Sequence, residues 1–220
     1  AGELGKKLGL EPEYIPFTKP AEREGEHRFG PGELLVMASP VYAGRLPNKL
    51  MPEYQAKIFG DGAIALPICV FGNRSPDEAL RELALLLEGN GFQLAGGAAF
   101  AGRHAFSNRV GEGRPDGDDL AQIADFAAKI AEKLSGEELP LLELDRGEIG
   151  PYYTPLKADG TPAKFLKAKP LTHWEKCCYC GACARACPMG SIDPKTMDAV
   201  GLCVKCQACV RKCTRRAKFF

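Results

Sequence analysis

Nine of the ten cysteines in this 220-residue chain lie between residues 177 and 213, and this distribution constrains the fold most strongly. Disulfides of a small secreted domain would be spread over the domain that they stabilise. The cysteines instead form two runs of the pattern C-x2-C-x2-C-x3-C, and each cysteine of the first run recurs 26 residues later. The runs are Cys177, Cys180, Cys183 and Cys187, then Cys203, Cys206, Cys209 and Cys213. A spacing this regular indicates a duplicated unit with one cysteine-dependent task.

Four thiolates at this spacing suit the four iron corners of a [4Fe–4S] cube. Three closely spaced cysteines can surround three corners with a tight loop, and the fourth ligand then comes from elsewhere. Structural zinc uses C-x2-C pairs separated by a dozen or more residues, so zinc and disulfides rank below the cluster interpretation. Cys178 does not fit the repeat and is predicted to be a non-ligand. Cys69 lies in an apolar run, where we expect a small buried hydrophobic residue.

The cysteine segment resembles the bacterial-type two-cluster ferredoxins over about 45 residues. In those proteins the last cysteine of each run ligates the cluster held by the other run. The resemblance therefore implies one cluster on Cys177, Cys180, Cys183 and Cys213, and a second on Cys203, Cys206, Cys209 and Cys187. The second run departs from the first in one respect, because Thr214 stands where the first run has Pro188; this change removes no ligand.

Residues 1–163 alternate apolar runs with amphipathic segments, which predicts a parallel α/β sheet flanked by helices. The predicted strands are 14–17, 34–38, 63–71 and 92–100. The predicted helices are 48–57, one that begins after Ser75 as N-cap, and 118–134 with Leu120 on its apolar face. Pro67 lies inside the second long run and argues against an unbroken central strand. Ligands of such sheets bind beyond the carboxyl ends of the strands, here at loops 39–47 and 72–75.

The sequence of these loops, SPVYAGRLP at 39–47 and VFGNR at 70–74, resembles that of flavodoxins. Together with residues 150–157 and the cysteine segment, the chain resembles the flavodoxin–ferredoxin fusion proteins of anaerobic prokaryotes. The resemblance implies a flavodoxin-like α/β domain, a small α+β two-cluster ferredoxin-like domain, and FMN bound without a covalent bond. Tyr42 would stack on the flavin ring, and Gly72 and Asn73 would line its edge. The implied FMN-contacting residues are Ser39, Pro40, Val41, Tyr42, Ala43, Gly44, Gly72, Asn73 and Arg74.

The first residues of the sequence depart from the flavodoxin pattern. A flavodoxin begins with a strand and a loop that holds the FMN phosphate against a helix N-terminus. Residues 1–8 instead have the pattern of the end of that helix, so we expect the strand and phosphate loop to lie upstream. The alternative is a domain that no longer binds FMN. The predicted domains are a flavodoxin-like domain at 1–144, a Pro- and Gly-rich extended linker at 145–172, and a ferredoxin domain at 173–220.

Charge divides the chain at a similar place. Residues 164–220 carry a net charge of +9 and residues 1–163 carry −8. The total of +1 argues against a globally basic nucleic-acid-binding protein. The basic residues of the C-terminal segment offset the negative charge of thiolate-bound clusters, and the alternative is a docking face for a redox partner protein. We find no apolar run of the roughly 18–20 residues that span a membrane and no secretory signal, and we predict a cytoplasmic protein.

These observations predict an electron-transfer protein that passes electrons between FMN, two [4Fe–4S] clusters and a redox partner. The alternatives are a flavin-dependent reductase of a small molecule, fed by the clusters, and a non-enzymatic iron–sulfur redox sensor or scaffold. No catalytic residue is predicted, because the sequence has no nucleophile elbow, P-loop or Rossmann fingerprint. The choice between electron carrier and oxidoreductase stays open, as do the donor, the acceptor, the direction of flow, the potentials and the oligomeric state.

Overall fold

The structure is a computed structural model that describes residues 1–163 and 168–220, and it divides the chain into two compact units. The first, the α/β unit, contains residues 1–14 and 26–153. The second, the C-terminal unit, contains residues 15–25 and the described residues from 154 to 220. Residues 164–167, within the predicted linker, lie outside the described residues. The assignment of 1–144, 145–172 and 173–220 to two domains and a linker stays a prediction.

The α/β unit is built on parallel strands. Strand β1 (His27–Phe29) pairs with β3 (Ile58–Gly60), and β2 (Leu34–Pro40) pairs along its whole length with β4 (Ile64–Phe71). The other side of β4 pairs first with β5 (Gln93–Leu94) and then with β6 (Ala98–Ala101), again in parallel. The predicted fold class, a parallel α/β sheet flanked by helices, is confirmed. The resemblance to flavodoxins stays a prediction.

Pro67 is tolerated inside β4 because the neighbouring ladder is interrupted beside it. Ala63 and Ala65 direct their carbonyl groups to the amides of Gln93 and Ala95, so by alternation Pro67 faces the same side. Pairing resumes only between Ile68 and Ala98, and the missing N–H of Pro67 therefore falls in the gap. The predicted strand 92–100 is consequently two short strands.

Four helices flank the strands: α1 (Gly2–Leu8), α2 (Met51–Lys57), α3 (Ala79–Gly89) and α4 (Gly117–Leu134). Helices α1 and α4 pack together, and their apolar faces meet the buried side chain of Leu66 on β4. Helix α3 packs on β4 and buries Leu83 and Leu87 completely. Burial of apolar side chains on both sides of β4 makes it the centre of the unit.

Three local predictions for residues 1–163 are wrong. No strand forms at 14–17, where Tyr14 is 73% exposed. Leu120 is not on the buried face of α4 but 57% exposed. The helix expected after Ser75 begins only at Ala79, because Asp77 adopts a positive φ of 40° that no α-helix accommodates. Ser75 instead accepts a hydrogen bond from the amide of Asp77 and shapes the turn.

The described residues of the C-terminal unit form only short elements. They are two 3₁₀ turns (Pro20–Arg23 and Trp174–Lys176), helices α5 (Ala182–Ala186) and α6 (Ala208–Arg211), and strands β7 (Leu171–Thr172) and β8 (Lys218–Phe219), which pair antiparallel. Arg23 is buried and donates hydrogen bonds to the carbonyl oxygens of Thr18 and Pro188, which ties residues 15–25 to this unit. Among the described residues, no helix is long and apolar enough to cross a membrane.

Candidate functional site

The C-terminal unit contains two cavities, and each is lined by four of the cysteines that the spacing singled out. Cavity I brings together Cys177, Cys180, Cys183 and Cys213. Cavity II brings together Cys187, Cys203, Cys206 and Cys209. The two cavities are nearly equal in size. Each set combines three cysteines of one run with the last cysteine of the other, which is the grouping that the ferredoxin resemblance implies.

The backbone around the two cavities repeats with the same 26-residue offset as the cysteines. Tyr179 and its equivalent Lys205 have φ values of 54° and 56°, and Gly181 and its equivalent Gln207 have values of 71° and 64°. Helices α5 and α6 begin at equivalent residues directly after these turns. Left-handed residues between the cysteines bend each run around its cavity. The duplication is therefore one of conformation as well as of sequence.

Backbone amides also approach the last cysteine of each run in equivalent positions. The amide of Ser191 donates to the Sγ atom of Cys187 at 3.3 Å, and the amide of Ala217 donates to the Sγ atom of Cys213 at 3.2 Å. Hydrogen bonds to thiolate sulfur are one of the means by which a protein sets the reduction potential of an iron–sulfur cluster. Both cavities are thus provided with the same donor at the same place.

Burial keeps several of these thiols neutral in the absence of metal. It raises the pKa of Cys209 to about 11, and it also raises the pKa values of Cys183 and Cys206. The pKa of Cys180 is lowered, chiefly because the amide of Ala182 donates a hydrogen bond to its sulfur. A buried thiol becomes a thiolate ligand when a metal replaces its proton, so metal binding at these cavities releases protons.

The cavities suit a multi-iron cube better than a single ion. Within residues 1–163 and 168–220, no three His, Cys, Asp or Glu side chains converge closely enough to hold one metal ion. The thiolates of a [4Fe–4S] cube bind four different irons at its corners and stand further apart than the ligands of one ion. Four cysteines around each cavity, with an amide donor to the last cysteine of each run, fit such a cube.

The two cavities share one apolar wall. Cys183 of cavity I and Cys209 of cavity II belong to a single buried cluster with Ile192 and Met197. Met197 is almost fully buried, and its Sδ atom lies 3.6 Å from the sulfur of Cys183. Iron–sulfur clusters bound in the two cavities would be separated by these buried apolar side chains.

The remaining two cysteines lie outside both predicted ligand sets. Cys69 is fully buried on β4, as expected for a hydrophobic residue. Cys178 is exposed at the rim of cavity I. The basic residues near the C-terminus do not all form one surface: Arg211, Lys212, Arg215 and Arg216 are exposed, whereas Lys218 is buried.

The residues implied in FMN binding lie beyond the carboxyl ends of β2 and β4, and the structure brings their two loops together. The amide of Val41 donates to the carbonyl of Val70 at 2.9 Å, and the amide of Glu78 donates to the carbonyl of Gly44 at 2.9 Å. Reciprocal hydrogen bonds between the backbones of Tyr42 and Arg45 close the first loop. The edge of the sheet is therefore formed by the two loops predicted to lie there.

Within these loops the individual residues differ in how open they are. Ser39 is buried, and its hydroxyl faces the carbonyl of Pro40 at 3.3 Å. Tyr42 is half-buried, and Gly72 lies so close to His104 that a Cβ atom would collide with its ring. Asn73 has a positive φ, and its side chain accepts a hydrogen bond from Arg114. Ser39 is thus enclosed, whereas Tyr42 is partly open to solvent.

A segment that the sequence left in the linker packs against these loops. The amide of Tyr153 donates to the carbonyl of Ala43 at 2.8 Å, and the hydroxyl of Tyr152 donates to the carbonyl of Leu46 at 2.8 Å. The guanidinium of Arg74 lies 4.0 Å from the ring centroid of Tyr153 and pairs with Asp77. Arg74 is therefore the implied FMN residue that fits least well, because its charge already has two partners.

Below these loops, Arg45 and Glu82 form a buried ion pair. The Nε atom of Arg45 lies 2.9 Å from Glu82, whose carboxylate also accepts the amide of Leu46 at 2.8 Å. A further hydrogen bond joins Arg45 to the carbonyl of Gly150. The hydrogen bond to Glu82 raises the pKa of Arg45, so the guanidinium stays charged. The pair fixes the conformation of loop 39–47 and gives no sign of a catalytic role.

Comparison with known proteins identifies one segment. Residues 170–193 match the family described as a 4Fe-4S binding domain. This range contains all four cysteines of the first run, so the chain carries a ferredoxin-type iron–sulfur segment, whose chemistry is electron transfer. No curated protein and no solved structure matches the chain.

Proposed function

We propose that this protein transfers electrons through two [4Fe–4S] clusters, one bound in each cysteine cavity, and that its α/β unit binds FMN. The observation that carries the proposal is the grouping of eight cysteines into two equivalent four-thiol cavities. The family match supports a cluster at the first run. The repeated turns and amide donors extend the same interpretation to the second run.

The residues of the C-terminal unit would hold both clusters and control their surroundings. Eight thiolates would bind iron, and the amides of Ser191 and Ala217 would donate to sulfur. The buried side chains of Ile192 and Met197 form an apolar wall shared by the two cavities. Each bound cluster supplies one-electron chemistry. The amide donors lie at equivalent positions, so both clusters would receive the same hydrogen bond at the last cysteine of each run.

Substitution of single cysteines tests the cluster assignment. Anaerobically purified protein should contain about eight iron atoms and eight acid-labile sulfides per chain. Cys180→Ala should lower the iron content to about half, because one cavity loses a ligand. Cys178→Ala is the matched control, since this neighbouring cysteine lines the same cavity but is not a predicted ligand. Full iron content in Cys180→Ala, or a loss of iron in Cys178→Ala, contradicts the assignment.

The FMN proposal is supported by the meeting of loops 39–47 and 72–75 at the carboxyl edge of a parallel sheet. Flavin can accept two electrons and release them singly, which would connect two-electron donors to one-electron clusters. Tyr42 would contact the ring, and Gly72 and Asn73 would approach its edge. The flavodoxin resemblance and the geometry of the two loops support these roles.

Flavin content tests this part of the proposal independently of the clusters. Acid extraction should release about one FMN per chain, and Tyr42→Ala should lower that yield. Tyr14→Ala is the matched control, because Tyr14 is exposed and far in sequence from both loops. Absence of flavin from a protein with full iron content contradicts FMN binding and leaves the two-cluster proposal intact.

A further inference from the structure

The 26-residue offset that relates the two cysteine runs also relates the side chains that line the two cavities. Cavity II is lined by Pro188, Met189, Ile192 and Val204. The equivalent residues in cavity I are Thr214, Arg215, Lys218 and Cys178. The backbone turns and the cysteines of the two cavities are thus equivalent. The four side chains compared are apolar in cavity II, whereas in cavity I they are polar or cationic.

The largest of these differences is Lys218 in place of Ile192. Lys218 is 3% exposed, and its ammonium group donates hydrogen bonds to the carbonyl of Met197 and to the hydroxyl of Thr172 at 2.7 Å. Both partners are neutral. Ile192 is equally buried at the equivalent position of cavity II. Cavity I therefore has the buried cation of Lys218 at the position where cavity II has the apolar side chain of Ile192.

The other cations near the cavities do not cancel this difference. Arg185 and Arg211 occupy equivalent positions in the two copies, so each copy has an arginine at this place. Lys205, near cavity II, has Tyr179 as its equivalent, but its side chain is only half-buried, so solvent screens its charge. Arg215 is exposed at the rim of cavity I and adds to the effect of Lys218 in the same direction.

A buried positive charge favours the addition of an electron to a nearby centre, because their attraction is weakly screened at low dielectric. Charge near a cluster is one of the factors that set its reduction potential. Lys218 lines cavity I together with its four predicted ligand cysteines, so its charge lies close to their sulfurs. Since Lys218 lines cavity I, the larger effect is expected there.

We propose that Lys218 makes the two clusters unequal: the cluster of cavity I has the higher reduction potential and accepts the first electron. Lys218 acts through its positive charge and does not bind iron. The step is a one-electron reduction of an oxidised cluster by a low-potential reductant, in which no bond forms or breaks. This inference rests on the proposed function, because it requires a cluster in each cavity.

A redox titration of the full chain with dithionite, followed by electron paramagnetic resonance, tests the inference. Cys180→Ala leaves the cluster of cavity II, and Cys206→Ala leaves that of cavity I, so these variants assign the two signals. The higher-potential signal of the wild-type protein should be the one that Cys180→Ala removes. Equal potentials, or a higher potential in cavity II, overturn the inference.

Charge variants at Lys218 then test its cause. Lys218→Met should lower the potential of cavity I more than that of cavity II, and Lys218→Arg should preserve the separation. Lys205→Met is the control for a half-exposed cation and should shift the potentials less. If Lys218→Met does not assemble its clusters, Arg215→Met serves instead, because this side chain is exposed. It should shift the cavity I potential downward by a smaller amount.

The experiments distinguish failure of the role assigned to Lys218 from failure of the two-cluster proposal. A larger downward shift in cavity II than in cavity I, in either Lys218→Met or Arg215→Met, overturns the assignment of Lys218 and leaves both clusters in place. About four iron atoms per chain and a single signal in the wild-type protein overturn the two-cluster proposal itself, and the inference with it.

Discussion

The two compact units of this chain are stabilised by different means. In the α/β unit, the central strand β4 is packed on both sides, and its core contains fully buried side chains such as Leu66, Leu83 and Leu87. In the C-terminal unit, the helices span four and five residues and the paired strands two residues each. Elements this short are not stable alone. The comparison indicates that apolar packing holds one unit, whereas the proposed clusters would supply much of the folding free energy of the other.

The largest expected effect is the loss of amide protection after iron removal, which should occur in one unit and not in the other. Anaerobic removal of iron with a chelator should abolish amide protection in residues 170–220, because the short elements there lose what organises them. Amides of β4 and α4 should keep their protection. Hydrogen exchange measured by mass spectrometry on the holo and iron-free proteins checks this. Equal loss of amide protection in both units, or no loss in either, would contradict the claim that the two units are stabilised by different means.

A large effect is also expected from the ion pair in the α/β unit. Arg45→Met leaves the buried carboxylate of Glu82 without its cation and should lower the free energy of unfolding by about 3–5 kcal/mol. The exposed pair of Lys129 and Asp125 provides the control, since Lys129→Met should cost at most about 1 kcal/mol. Urea denaturation followed by circular dichroism measures both variants. Equal costs would show that the buried pair does not hold loop 39–47.

The apolar core gives a further graded test. Leu66→Ala should cost about 2–5 kcal/mol, because it opens a cavity between β4 and the pair of helices α1 and α4. Leu120→Ala should change the free energy of unfolding by less than about 0.5 kcal/mol, since Leu120 is exposed on α4. The same denaturation experiment compares them. A large loss of unfolding free energy in Leu120→Ala would indicate that Leu120 lies on the buried face of α4, as its periodicity predicts.

The smallest expected effect concerns the one cysteine of the α/β unit. Burial raises the pKa of Cys69 to about 12, well above the ordinary value of 9.0 for a thiol. The neutral thiol therefore contributes stability that is fully present below pH 9 and is lost as the pH rises towards 12. Between pH 8 and 10, the wild-type protein should lose about 1 kcal/mol more than Cys69→Ala. Parallel pH dependences in the two proteins would show that Cys69 is not shielded.

Much of this architecture could be predicted from local patterns. Continuous apolar runs predict β2 and β4 because both strands are covered on two faces. The cysteine spacing predicts two runs of metal ligands, and the resemblance to two-cluster ferredoxins implies how the two runs combine. Even Pro67 is compatible with a central strand, although only the register of β5 and β6 shows why.

What could not be predicted depends on contacts between distant residues. The burial of Arg23 in the C-terminal unit depends on the carbonyl of Pro188, and no local pattern indicates that pairing. The packing of Tyr152 and Tyr153 on loops 39–47 and 72–75 is equally non-local. The difference between Ile192 and Lys218 was present in the sequence, but only alignment of the two copies beyond their cysteines shows it.

The central claim is that each cavity holds one cluster with ligands from both cysteine runs, and double substitution tests it most directly. Cys180 and Cys213 line the same cavity, whereas Cys180 and Cys187 belong to the same run but line different cavities. The iron content of the anaerobically purified Cys180→Ala/Cys213→Ala protein should be about four per chain, and that of Cys180→Ala/Cys187→Ala should be close to none. The reverse order of iron contents would mean that each run binds its own cluster and would contradict the account.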